Sequence, residues 1–169
     1  MDEAAAQRPL PPGPAPADDT PFMGEALAVA ARALALGEPP VGACIVHEGR
    51  VLAAEHNGVI GSPDATAHAE ILAIRAACRA VRAPRLDGCV LYATVEPCPM
   101  CLAACHYAGI RRVVYGASLD DMHRLTRDEC FALPPADLEL AGPVRGDECR
   151  ALLARWAAAL PPGRLPGQP

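Results

Sequence analysis

The chain has 169 residues, 51% hydrophobic and 21% charged, which suits one domain with a well-buried core. Its net charge is −5, its basic residues are all arginine, and no basic run exceeds Arg111-Arg112, which argues against a dedicated nucleic-acid binder. Eight cysteines raise a disulfide scaffold, but there is no secretory pattern at the start and no apolar run long enough to span a membrane, so the expectation is a reduced, cytoplasmic protein with no membrane partner.

Residues 1–18 are rich in proline and alanine and have no period, which predicts a disordered tail. A helix is expected next, capped by Asp19 or Thr20 with Pro21 at its first position. Met23, Leu27, Ala31 and Leu34 form its predicted apolar stripe, and Gly37 followed by Pro39-Pro40 ends it. "VGACIVHEGRVLAAEHN", 41–57, predicts a hairpin turning at Glu48-Gly49. A second helix is expected over 67–80, a buried strand over 89–95, a third helix over 98–109 and a strand over 111–117. Residues 118–131 are expected to be helical, "LELAGPV" (138–144) a fifth strand, 146–160 a last helix and 161–169 a loose end. Strands alternating with helices after the hairpin predict a three-layer α/β/α sandwich on a five-stranded mixed sheet, with a single domain over 19–160.

"TVEPCPMC", 94–101, carries the chemistry. A lone C-x-x-C is weak: it fits a redox pair, half of a structural zinc knuckle, or part of a catalytic metal site. The redox reading needs a thioredoxin-like context and the knuckle a second ligand pair; neither is evident. Upstream stands "TAHAEI", which supplies His68 and Glu70. H-x-E followed by P-C-x-x-C is the signature of zinc deaminases. Catalytic zinc takes three protein ligands and keeps a fourth position open, and His68, Cys98 and Cys101 make three. Two thiolates neutralise much of the ion's charge, so a neighbouring base should matter. Glu70 is two residues from His68, a spacing that points the two side chains apart and leaves the carboxylate off the metal. Cys98 and Cys101 open a helix, where backbone amides favour thiolate. Cys105 is one turn further and is expected to be a small buried residue; Cys44, Cys78, Cys89, Cys130 and Cys149 are assigned to packing. His123 falls in a candidate lid, and Trp156 is assigned to the core of the last helix.

From about residue 22 to 157 the chain resembles the cytidine deaminase-like superfamily of zinc deaminases. "DATAHAEILAIRAAC" and "LDGCVLYATVEPCPMCLAACHYAGIRRVVYGASLDD" are most similar to the branch that holds bacterial guanine deaminases and tRNA adenosine deaminases. The resemblance implies that His68, Cys98 and Cys101 bind zinc and that Glu70 shuttles protons. It implies that Asn57 hydrogen-bonds the substrate ring and that Asp121 meets a guanine amino group. Without it, Asn57 reads as a turn residue and Asp121 as a solvated acid at a helix start. A homodimer is expected on the same ground.

Two departures bear on the substrate. The end, "PPGRLPGQP", lacks the aromatic segment that closes a neighbouring subunit's site in similar guanine deaminases. "SLDDMHRLTRDEC" is acidic and lacks the glycine-rich basic loop of the tRNA-acting branch. The expectation is a zinc aminohydrolase of a small nucleobase, free guanine first. The alternatives are a tRNA adenosine, cytosine or another amino-heterocycle, and a non-catalytic zinc-stabilised scaffold, which the intact Glu70 disfavours.

Overall fold

The computed structural model describes residues 18–126. The expected N-terminal tail, the fifth strand at 138–144, the last helix with Trp156, the loose end, and Cys130 and Cys149 lie outside them, as does the side chain of His123. The elements run α1 (Thr20–Ala35), β1 (Gly42–His47), β2 (Arg50–His56), α2 (Ala69–Val81), β3 (Cys89–Val95), α3 (Pro99–Ala108), β4 (Arg112–Ala117) and α4 (Leu119–Thr126).

The described sheet has four strands in the order β2-β1-β3-β4. β1 is antiparallel to β2 and to β3, while β3 and β4 are parallel, so the sheet is mixed as expected. The hairpin turns where predicted. Glu48 and Gly49 both have positive φ, 47° and 75°, between the paired residues His47 and Arg50. Two left-handed residues match the twist of the flanking strands.

Alternation along β1 and β3 divides the core in two. Ala43, Ile45, Leu91 and Ala93 pack with Ala69, Ala73 and Ala77 of α2 and Cys105 and Ala108 of α3. Cys44, Val46, Val90 and Tyr92 pack on the other face with Phe22 of α1. The sheet therefore lies between α1 and the α2–α3 pair, a three-layer sandwich.

The predicted stripe on α1 is corrected. Ala26, Val29, Ala30 and Ala33 are buried, whereas Leu27 and Leu34 are 56% and 65% exposed. The reason is how close the helix rides on β1. A Cβ on Gly42 would lie 2.1 Å from the Ala26 carbonyl oxygen and 2.7 Å from the Ala30 nitrogen. Only small side chains fit beneath a helix at that distance. The cap of α1 also differs from expectation. Asp19 holds the N-cap position but makes no cap bond; its carboxylate accepts from Tyr92 Oη at 2.7 Å and from Arg112. Asp18 accepts the Thr20 N–H instead.

Candidate metal centre and active site

Two helix starts build the site. His68 is the N-cap of α2 and Cys98 the N-cap of α3, both with extended backbone (ψ 150° and 167°). Pro99 follows Cys98 and fixes the first turn, which carries Cys101 inward to full burial. β3 delivers this turn from the centre of the sheet. The turn after β2 delivers His68.

The three ligand atoms form a nearly equilateral triangle. Cys98 Sγ lies 3.7 Å from Cys101 Sγ and 3.7 Å from His68 Nδ1, and Cys101 Sγ lies 3.6 Å from His68 Nδ1. Zn–S bonds of about 2.3 Å and a Zn–N bond of about 2.05 Å at tetrahedral angles subtend edges of about 3.75 Å and about 3.6 Å. The triangle is thus a tetrahedral face of the right size, and this donor set fits zinc with one position left over. It is the one group of its kind among the described residues; Cys105 is buried beyond it. The thiol at Cys98 is drawn below its usual range, chiefly by its hydrogen bond with Cys101 and further by His68, against the opposing effect of burial. The six described cysteines form no disulfide among themselves.

Glu70 stands in the first turn of α2 and is 3% exposed. Its Oε2 is buried with no hydrogen-bond partner. Burial raises its carboxyl above the ordinary range. A buried carboxylate oxygen without a partner is costly unless something occupies the space before it. Glu70 opens on a cavity that it lines with His68, Cys98 and Asn57. The rest of the wall is Pro39, Val41, Val59, Val95, Glu96, Leu119 and Met122.

Asn57, at the end of β2, is 5% exposed. Its Oδ1 accepts the Val59 N–H at 3.1 Å, which leaves the NH₂ end as the donor for the cavity. Asp121 is not among the residues that line the cavity. It is exposed, and its Oδ2 accepts from the Ser118 N–H (3.0 Å) and Oγ (2.7 Å), while Ser118 Oγ accepts the Asp121 N–H. This is a capping box at the start of α4. Its neighbours Leu119 and Met122 supply the wall where the sequence suggested a carboxylate.

Glu96 and Glu38 were not singled out from sequence. Glu96 Oε2 accepts the Leu119 N–H and fixes α4 against the cavity. Its signal was a place inside "TVEPCPMC". Glu38 stands between Gly37 and Pro39, in a stretch that reads as a helix stop.

A three-layer α/β fold with a His/Cys/Cys triangle and a buried carboxylate at two helix starts is the arrangement of the zinc deaminases. Residues 16–117 match the profile of the cytidine and deoxycytidylate deaminase zinc-binding region. The chain belongs to this family. It is 48% identical over 102 residues to the tRNA-specific adenosine deaminase of Aquifex aeolicus, covering 60% of this chain and 67% of the relative. It is 44% identical over 98 residues to the guanine deaminase of Bacillus subtilis, covering 58% and 63%. The chain thus spans about two thirds of the length of these relatives. The crystal structure of Bacillus subtilis guanine deaminase superposes with a TM-score of 0.76 at 30% identity, over 88% of this chain and 99% of that one. Among the described residues no helix is long and apolar enough to cross a membrane.

Proposed function

We propose that the chain is a zinc-dependent hydrolytic deaminase that replaces the exocyclic amine of a purine base with a carbonyl oxygen. One observation carries this reading: the metal-sized triangle presents His68 and Cys98 to the same cavity that Glu70, with its unpartnered oxygen, and Asn57 line. His68, Cys98 and Cys101 would hold the zinc, which would supply the Lewis acidity that lowers the pKa of the attacking water below that of bulk water. Glu70 Oε2 takes the proton of the attacking water and hands it to the ring nitrogen beside the amine-bearing carbon. Glu70 then passes the remaining hydroxyl proton to the amine, which leaves as ammonia as the carbonyl forms. Its burial suits the task, because a carboxyl with a raised pKa holds a proton more readily near neutrality. Asn57 donates from its NH₂ end to a ring acceptor and orients the base. The surrounding Val41, Val59 and Val95 keep bulk water from the ring.

We favour an adenine ring presented by an RNA loop. The cavity's α4 wall is Leu119 and Met122, and Asp121 is engaged in a helix cap. Glu96, the other carboxylate of the wall, has Oε2 on a backbone amide. A carbon-bound hydrogen suits an apolar wall, whereas guanine's amine buried there would lose its partner. The tRNA-specific relative supports the same reading. Free guanine is the second reading, favoured by the fold shared with nearly all of the Bacillus subtilis guanine deaminase chain. A homodimer belongs to the proposal, supported by Leu102 and Tyr107 of α3, which are 47% and 81% exposed.

The test is ammonia release by the zinc-loaded chain from an anticodon stem-loop bearing adenosine, guanine, adenine, cytosine and their nucleosides. Conversion of the stem-loop adenosine to inosine is expected. Turnover of guanine alone selects the second reading. No ammonia from any member by zinc-loaded protein overturns both.

A further inference from the structure

Glu38 lies between α1 and β1 and is 8% exposed. Its two oxygens accept backbone amides from the turn after β2: Ile60 N–H at 3.0 Å and Gly61 N–H at 2.5 Å. The contact is close on the other side too: a Cβ on Gly61 would lie 2.8 Å from Glu38 Oε1 and would push that oxygen aside. The turn is closed within itself by Ser62, whose N–H (3.0 Å) and Oγ (2.6 Å) both donate to the Gly58 carbonyl. It is tied to the approach to His68 by the Gly58 N–H on the Ala67 carbonyl. At its start the Val59 N–H donates to Asn57 Oδ1.

These bonds form a chain that ends in the cavity. A carboxylate accepting two amides makes strong, charge-assisted bonds. Those bonds fix Ile60 and Gly61, and through the short closed turn they fix the direction of the Val59 N–H. That N–H decides which end of the Asn57 amide turns inward, because a donor must face the oxygen. If the turn drifts, the amide can reverse and present an acceptor where the substrate also has one.

We propose that Glu38 is a positioning residue for substrate binding: it holds the 58–62 turn so that Val59 keeps Asn57 Oδ1 and the Asn57 NH₂ faces the ring. This deepens the reading above and rests on it for the part played by Asn57. The ligand class follows from the donor: a ring with an unprotonated nitrogen or a carbonyl at that place. Glu38 touches neither metal nor substrate.

The experiment uses the full zinc-loaded chain with Glu38→Gln and, separately, Gly61→Ala. The glutamine sets an NH₂ against one of the two amides. The alanine disturbs the same contact from the opposite side, so one variant stands in if the other fails to fold. Amide hydrogen exchange is read by NMR at Val59, which Glu38 does not bond and which precedes the two amides it does, Ile60 and Gly61. Exchange about tenfold faster is expected at Val59 as well as at Ile60 and Gly61, on the scale of one lost hydrogen bond. Zinc content and the Leu72 amide, bonded to the His68 carbonyl in α2, should be unchanged. On whichever substrate the ammonia panel identifies, KM should rise roughly tenfold with kcat within about twofold, and Glu38→Gln should add nothing once Asn57→Ala is present. Unchanged Val59 exchange in both variants, or KM effects that multiply with Asn57→Ala, overturns the proposal. If the panel yields no substrate the deaminase reading fails, and Val59 exchange still decides whether Glu38 positions Asn57.

Discussion

Asp121→Ala separates two physical roles for one carboxylate. The side chain accepts two hydrogen bonds from Ser118 at an exposed helix start. Removing it leaves the Ser118 N–H and Oγ to water, which is available there, so the cost is that of a lost cap: about 1 kcal/mol, within a usual range of about 0.5–2. The consequence for the site is indirect. α4 carries Leu119 and Met122 into the cavity wall, and Glu96 still holds the Leu119 N–H in the variant. A frayed first turn loosens this wall for every ring alike. Steady-state assays on two competing bases should therefore show KM rising about two- to fivefold for both, on the scale of a cap bond, with zinc retained. Asp121→Asn keeps an oxygen for Ser118 and should recover most of the loss. A direct contact with a guanine amino group makes a different forecast: a selective loss of guanine turnover of about ten- to a hundredfold, from a charge-assisted bond of about 1.5–3 kcal/mol. A selective loss of that size, with the other base unaffected, would refute the capping account.

Three further outcomes follow from the same geometry. Glu70→Gln should keep its zinc and lose more than about a hundredfold in kcat, since one carboxylate serves as base and then acid; turnover near the wild-type rate removes it from the proton path. Gly42→Ala should lower stability by about 3 kcal/mol or more, beyond the usual overpacking cost of about 1–3, because the clash is with the backbone of α1 on a face that cannot repack. Urea unfolding measures it, and a cost below about 1 kcal/mol would mean that α1 does not ride on β1 at this distance. Tyr92→Phe removes the donor from Asp19 and should lower stability by the same method; no change would show that Arg112 alone anchors the start of α1.

The metal site was legible because its information is local. His68 and Cys98 each open a helix, and the spacing of Glu70 and Cys101 from them sets direction within one turn. The hairpin was legible for a similar reason, since Glu48-Gly49 is a turn signal complete in two residues. α1 was misread because it is apolar nearly all round. Its buried face was decided by Gly42, on another element, and periodicity selected the larger leucines. Asp19 looked like a cap because its partners, Tyr92 and Arg112, lie 73 and 93 residues away. Asp121 shows the converse. Ser118-Leu-Asp-Asp121 is a cap signature in four residues, whereas a ring contact for Asp121 is implied by the resemblance alone. Glu38 and Glu96 accept backbone amides 22 or 23 positions away, and a single sequence carries no mark of that.

The central claim is an open zinc site made by one histidine and two cysteines. X-ray absorption at the zinc edge of the loaded protein tests it most directly. An open site of this kind gives two sulfurs at about 2.3 Å and two lighter atoms at about 2.0–2.1 Å, one an imidazole nitrogen and the other exchangeable. A shell of three or four sulfurs, with Cys105 drawn in and no exchangeable position, would describe a closed structural site and contradict the account.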